Sequence, residues 1–132
     1  MKSACVAVLL TCLALGCQQH NRGPDTRSAL GHVVVFWLRN PGDAETRSRI
    51  IRASDGFRSI PGVLRVDAGE RVSTPRPNVD KTYDVAVVIW FKDRGALEQY
   101  QVHPKHQAML RELGPLIDHT VAYDFARPRT LE

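Results

Sequence analysis

The residues best suited to chemistry in this chain stand together. Tyr100-Gln101-Val102-His103-Pro104-Lys105-His106 places a phenol, a proline and two imidazoles within seven positions. Pro104 disfavours the helical region for His103 and is itself suited to the first position of a new helix. The spacing therefore sets His103 at a helix cap and His106 in the first turn. There the positive end of the macrodipole disfavours an imidazolium, and a neutral ring can act as a base. The same spacing also allows a plainer reading: His103 only caps the helix, while Tyr100 and His106 fill the space between helix and sheet. Everything after residue 31 reads as scaffold holding this segment over a pocket.

At 132 residues there is room for one domain of ordinary size. The formal net charge is +4, and removing Lys2 with the first sixteen residues leaves +3. So mild an excess, with no basic block, argues against nucleic acid as a partner. All three cysteines (Cys5, Cys12 and Cys17) lie at the extreme N-terminus. The folded part therefore has no disulfide, thiolate nucleophile or thiolate metal ligand. His32, His103 and His106 could approach one another, but zinc wants three or four ligands and no carboxylate is placed to complete a set. No metal site is expected.

Lys2 precedes an apolar run too short to span a bilayer and of the length of a signal-peptide core. Residues 1–16 are read as that signal. The run ends Leu13-Ala14-Leu15-Gly16-Cys17, which resembles the lipobox of bacterial lipoproteins, although Ala14 stands where that pattern has a branched aliphatic residue. The resemblance implies export and a lipid on Cys17. The protein would then be a membrane-anchored lipoprotein of the bacterial envelope, periplasm-facing or in the outer membrane. Residues 17–31 follow as the lipidated cysteine and a polar, aperiodic tether.

The domain is expected over residues 32–126, with a polar tail over 127–132. An unbroken β-favouring run covers 32–38. Asp43 caps a helix over 43–58, in which Thr46, Ile50, Ala53 and Phe57 recur at helical spacing. Loose alternation marks a strand over 63–72, and a loop with two prolines leads to a second apolar strand over 83–91. Short helices cover 93–100 and 104–113, and a last strand covers 120–125. The order β-α-β-β-α-β is the ferredoxin-like α+β arrangement, a four-stranded antiparallel sheet with helices on one face. Both apolar strands are apolar on both sides: Val33, Val35 and Trp37 oppose Val34, Phe36 and Leu38. Ala86, Val88 and Trp90 oppose the other face of theirs. An open apolar face of that size exceeds what a soluble monomer usually tolerates. The most economical cover is a second copy, so a homodimer through the helix-free sheet face is expected.

His32 with its strand, Ile60-Pro61-Gly62-Val63, Gly69, Tyr83-Asp84, Phe91-Lys92-Asp93, Ala96-Leu97, Tyr100, His103-Pro104-Lys105-His106 and Asp124-Phe125 together resemble the stress-responsive A/B barrel (Dabb) domain. The resemblance spans the whole domain and implies a dimeric α+β barrel. Within the family, the segment from Tyr100 to His106 is similar to that of olivetolic acid cyclase, a plant polyketide cyclase. Carried over, His106 would take a proton from an activated methylene. Tyr100 would donate a hydrogen bond to the carbonyl or thioester oxygen, with no cofactor. The expected pocket lies between helices and sheet, with His32, His103, Ile50 and Phe57 around it. The first expectation is binding of a small apolar or aromatic molecule there, with a link to stress as the family name implies. The others are a cofactor-independent cyclase or aldol-type enzyme, and an envelope accessory protein without ligand.

Overall fold

The structure, a computed structural model, describes residues 29–127. The expected signal peptide, the lipidated Cys17 and most of the tether lie outside the described residues, as does the tail beyond Arg127. The elements run β1 (Leu30–Leu38), α1 (Ala44–Asp55) with a 3₁₀ turn Gly56–Ser59, β2 (Val63–Glu70) and β3 (Val85–Phe91). They continue with α2 (Arg94–Val102), α3 (Pro104–Leu113), a 3₁₀ turn Gly114–Leu116, and β4 (Ile117–Ala126).

Local chemistry starts and stops these elements. The Asp43 carboxylate caps α1 by accepting from the Thr46 amide at 3.2 Å and from the Thr46 hydroxyl. Those bonds, the hydroxyl's first, hold its carboxyl below the usual range. Asp93 caps α2 in the same way, through the Ala96 amide at 2.8 Å. Gly62, at φ +85°, turns the chain into β2 where a side chain would be strained, and a Cβ there would lie 2.5 Å from the Ala96 Cβ. β1 begins at Leu30, two residues earlier than expected, and so takes Leu30 and Gly31 from the stretch read as tether. Leu30 pairs with both Phe91 and Ala126. The Phe125 ring lies over Gly31, where an added Cβ would come within 2.4 Å of it.

The sheet is antiparallel throughout, in the order β2-β3-β1-β4. Helices cover one face. The core there joins Phe36 and Leu38 of β1, Val85, Val87, Ile89 and Phe91 of β3, and Ile50, Phe57, Leu97 and Tyr100 from the helical layer. The ferredoxin-like α+β fold is thus what the chain adopts. The expected α+β barrel is not. β2 and β4 lie at opposite edges with two strands between them, so the sheet is open. Three inter-strand steps separate those edges by roughly 14 Å, and closing a filled barrel takes about eight strands.

On the helix-free face, Val33, Val35, Trp37, Ala86, Val88 and Trp90 are only partly covered. Tyr123 and Phe125 of β4 are 60% and 44% exposed. The described residues do not fully cover this face.

Candidate functional site

The break between α2 and α3 builds the site. An uninterrupted helix would direct the Lys105 amide to the Gln101 carbonyl. Pro104 ends α2 at Val102, and the Lys105 amide instead donates to His103 Nδ1 at 3.2 Å. The freed Gln101 carbonyl accepts from His106 Nδ1 at 3.0 Å and from Gln107 Nε2 at 2.6 Å. A carbonyl can only accept, so Nδ1 carries the proton and the lone pair of a neutral His106 is on Nε2. Lys105 pins the first turn of α3 in place, its Nζ donating to Ser59 Oγ at 2.5 Å and to the Gly56 carbonyl at 3.3 Å.

Tyr100 stands between two imidazoles. Its ring centroid is 4.4 Å from that of His106 and 6.1 Å from that of His32. Phe57 and Phe91 back it at 5.2 Å and 5.1 Å. His32 Nδ1 meets Asp124 Oδ1 at 2.5 Å across the β1–β4 pair. A carboxylate there orients the ring with Nδ1 protonated and, in the neutral ring, the lone pair on Nε2.

His32, Tyr100, Gln101 and His106 line one cavity of about 210 Å³ under the helices. Its remaining walls are mostly apolar, from Val34, Phe36, Phe57, Val87, Ile89 and Met109. Leu110 of α3 and Thr120 and Ala122 of β4 also line it and are exposed, which sets its mouth on that side. The volume is below the roughly 300–1,000 Å³ of drug-sized sites, so the space suits a single ring or a short chain.

Two residues expected at the pocket are elsewhere. His103 caps α3 with its ring nitrogen and does not line the cavity. Ile50 is fully buried in the core beneath α1, and Ser54, one turn on, takes the wall position. Ser54 escapes an unpaired hydroxyl by donating to the Ile50 carbonyl at 2.8 Å. Asp124 and the Gln101 carbonyl carried no expectation. β-alternation places Asp124 on the helix side with Ala122, but its pairing with His32, ninety-two positions away, is a matter of register.

Tyr100 is 3% exposed, and burial pushes its phenol well above the ordinary range. No described residue hydrogen-bonds its Oη. Its oxygen is not among the enclosed polar atoms that lack a partner and so keeps contact with the cavity. Tyr100→Phe should therefore shift stability by no more than about 1 kcal/mol in urea unfolding at neutral pH. The sign with pH is fixed. The unfolded phenol ionises near pH 10 while the folded one stays neutral, so the wild type loses stability above about pH 10. The variant should lack that part of the loss.

The sequence from residue 30 to residue 127 matches the model of the stress responsive A/B barrel domain, Dabb. The chain belongs to the Dabb family. Among curated proteins none matches it, so the likeness to olivetolic acid cyclase rests on the Tyr100–His106 segment alone. Solved structures share the fold of this Dabb chain. A Dabb family protein with a ferredoxin-like fold from Mesorhizobium loti is 25% identical, with TM-score 0.60 over 74% of this chain and 95% of that one. A dimeric ferredoxin-like protein of unknown function from Thermobifida fusca is 24% identical, with TM-score 0.63 over 75% and 91%. The hydroxynitrile lyase of Passiflora edulis is 13% identical, with TM-score 0.67 over 80% and 99%.

Proposed function

We propose that this Dabb protein is a cofactor-independent enzyme acting on a small apolar or aromatic carbonyl compound, removing a proton beside the carbonyl as the first step of aldol-type chemistry. One observation carries the reading. A phenol with no internal hydrogen-bond partner lies against an imidazole whose Nδ1 is fixed on a backbone carbonyl, and both line an apolar cavity. His106 Nε2 takes the proton and the C–H electron pair moves into the enolate. Tyr100 donates a hydrogen bond to the oxygen that gains charge. The imidazolium returns its proton to the alkoxide or carbanion of the product. The His32–Asp124 pair offers a second oriented imidazole on the other side of Tyr100. That a hydroxynitrile lyase is built on this fold supports an enzyme over a passive binder.

The test is phenylacetone in deuterated water with the purified protein, followed by loss of the α-proton signal in NMR. Exchange well above that in buffer carrying the same imidazole concentration is expected. Binding of the ketone without added exchange would leave a small-molecule binding protein and overturn the enzyme reading.

Two further parts of the proposal concern its setting. Two copies associate through the helix-free sheet faces, supported by the exposed apolar residues there and by the dimeric Thermobifida fusca structure. Light scattering should give twice the chain mass; a single-copy mass at high concentration would refute it. Cys17 anchors the protein to a membrane through lipid, read from the sequence before residue 18. Radiolabelled palmitate should enter the wild type and not Cys17→Ser.

A further inference from the structure

A second concavity, unused by the proton chemistry, lies on the outer side of the helix layer. α1 and α3 each present one helical stripe to it, at i, i+3, i+4 and i+7 spacing. Ala53, Gly56 and Ala108 form its floor. Their small size is why two packed helices leave about 370 Å³ open there. Arg49, Arg52 and Lys105 stand around it.

Among the described residues those three cations have no acidic partner. Among the described residues the ion pairs are His32–Asp124, Arg47–Glu70, Arg58–Asp55, Arg65–Asp67 and His119–Asp118. Arg52 donates to the Ser48 hydroxyl, and Lys105 donates to Ser59 Oγ and the Gly56 carbonyl. Glu112 is the one carboxylate at the groove, and it is not within ion-pair distance of any of them. Three cations against one carboxylate leave the groove with a net charge of +2, over a floor of methyl groups and the Met109 side chain.

We propose that this groove binds the phosphate of a phosphomonoester whose apolar body lies on Ala53, Ala108 and Met109. A dianion matches the local charge. Arginine forks meet phosphate oxygens in pairs of parallel bonds, and lysine adds a point charge. Met109 also lines the inner cavity, so the occupant rests on the partition between the two spaces.

Phenyl phosphate is the probe, titrated into the purified full chain by calorimetry at low ionic strength, with the Met109 methyl followed by NMR. Saturable binding that shifts the methyl is expected. The double variant Arg49→Gln/Arg52→Gln should weaken it at least tenfold, whereas Arg65→Gln, on the helix-free face, should leave it unchanged. Arg52 and Arg65 are exposed and Arg49 is half-buried, and matched circular dichroism spectra check that both variants fold. Non-saturable binding, or equal loss in the Arg65→Gln control, would overturn the site. A parallel arm uses phosphatidylglycerol vesicles. Groove-dependent vesicle binding that phenyl phosphate does not displace would assign the surface to a membrane instead and overturn the small-molecule site. Neither arm uses proton exchange, so failure here is distinct from failure of the enzyme reading.

Discussion

His106→Ala should slow exchange of the ketone α-proton by about 10²–10⁴-fold, the range for losing a positioned general base. The backbone already holds that base in its working form. The helix break frees the Gln101 carbonyl, the carbonyl fixes Nδ1–H, and Nε2 is left to accept. The cost to folding should be small, because the ring is only partly buried and Phe57 and Met109 close the core behind it. One readout separates the chemical role from a packing role. His106→Gln fills much of the space without supplying a base, so it should be as slow as the alanine variant. If His106→Ala keeps the wild-type rate while His32→Ala loses it, the base is the imidazole held by Asp124. The assignment to His106 then fails.

Much of this was legible in the chain because the signals are local. The Pro104 break, the Asp43 and Asp93 caps and the two-sided apolar strands each depend on a few neighbouring residues, and the ferredoxin-like order follows from them. What the sequence could not convey depends on rotation or register. Thr46, Ile50, Ala53 and Phe57 share a helical stripe, yet a slight rotation of α1 puts Ser54, not Ala53, fully inside. Ala53 faces the outer groove instead. His32 and Asp124 meet because β1 and β4 pair in one register, which pattern alone does not set. The barrel expectation came from family likeness, and strand count within one chain overrides it. The helix-free face is a different case: its apolar residues were readable, and among the described residues they are only partly covered.

Asp84→Ala should destabilise the protein by about 3 kcal/mol or more, a large share of the stability of a domain this size. Asp84 is 6% exposed, and its two oxygens hold two separate backbone amides. Oδ2 accepts from Leu38 at 2.9 Å and Oδ1 from Gly42 at 2.7 Å. Hydrogen bonds to a charged acceptor contribute roughly 1.5–3 kcal/mol each, and alanine would leave both amides without that acceptor. The residue thereby ties the start of β3 to the end of β1 and to the turn before α1, with its own amide donating to the Phe36 carbonyl at 2.9 Å. Asparagine should recover only part of the loss, because its NH₂ would face one of the two donors. Urea unfolding should show a lower midpoint with an unchanged slope. The effect also reaches the site. α1 leaves that turn carrying Ser54, with Phe57 following it, and both are in the cavity wall. At urea concentrations where Asp84→Ala is still folded, phenylacetone should therefore bind it more weakly than the wild type. Unchanged affinity would separate the turn from the site and confine Asp84 to holding the fold.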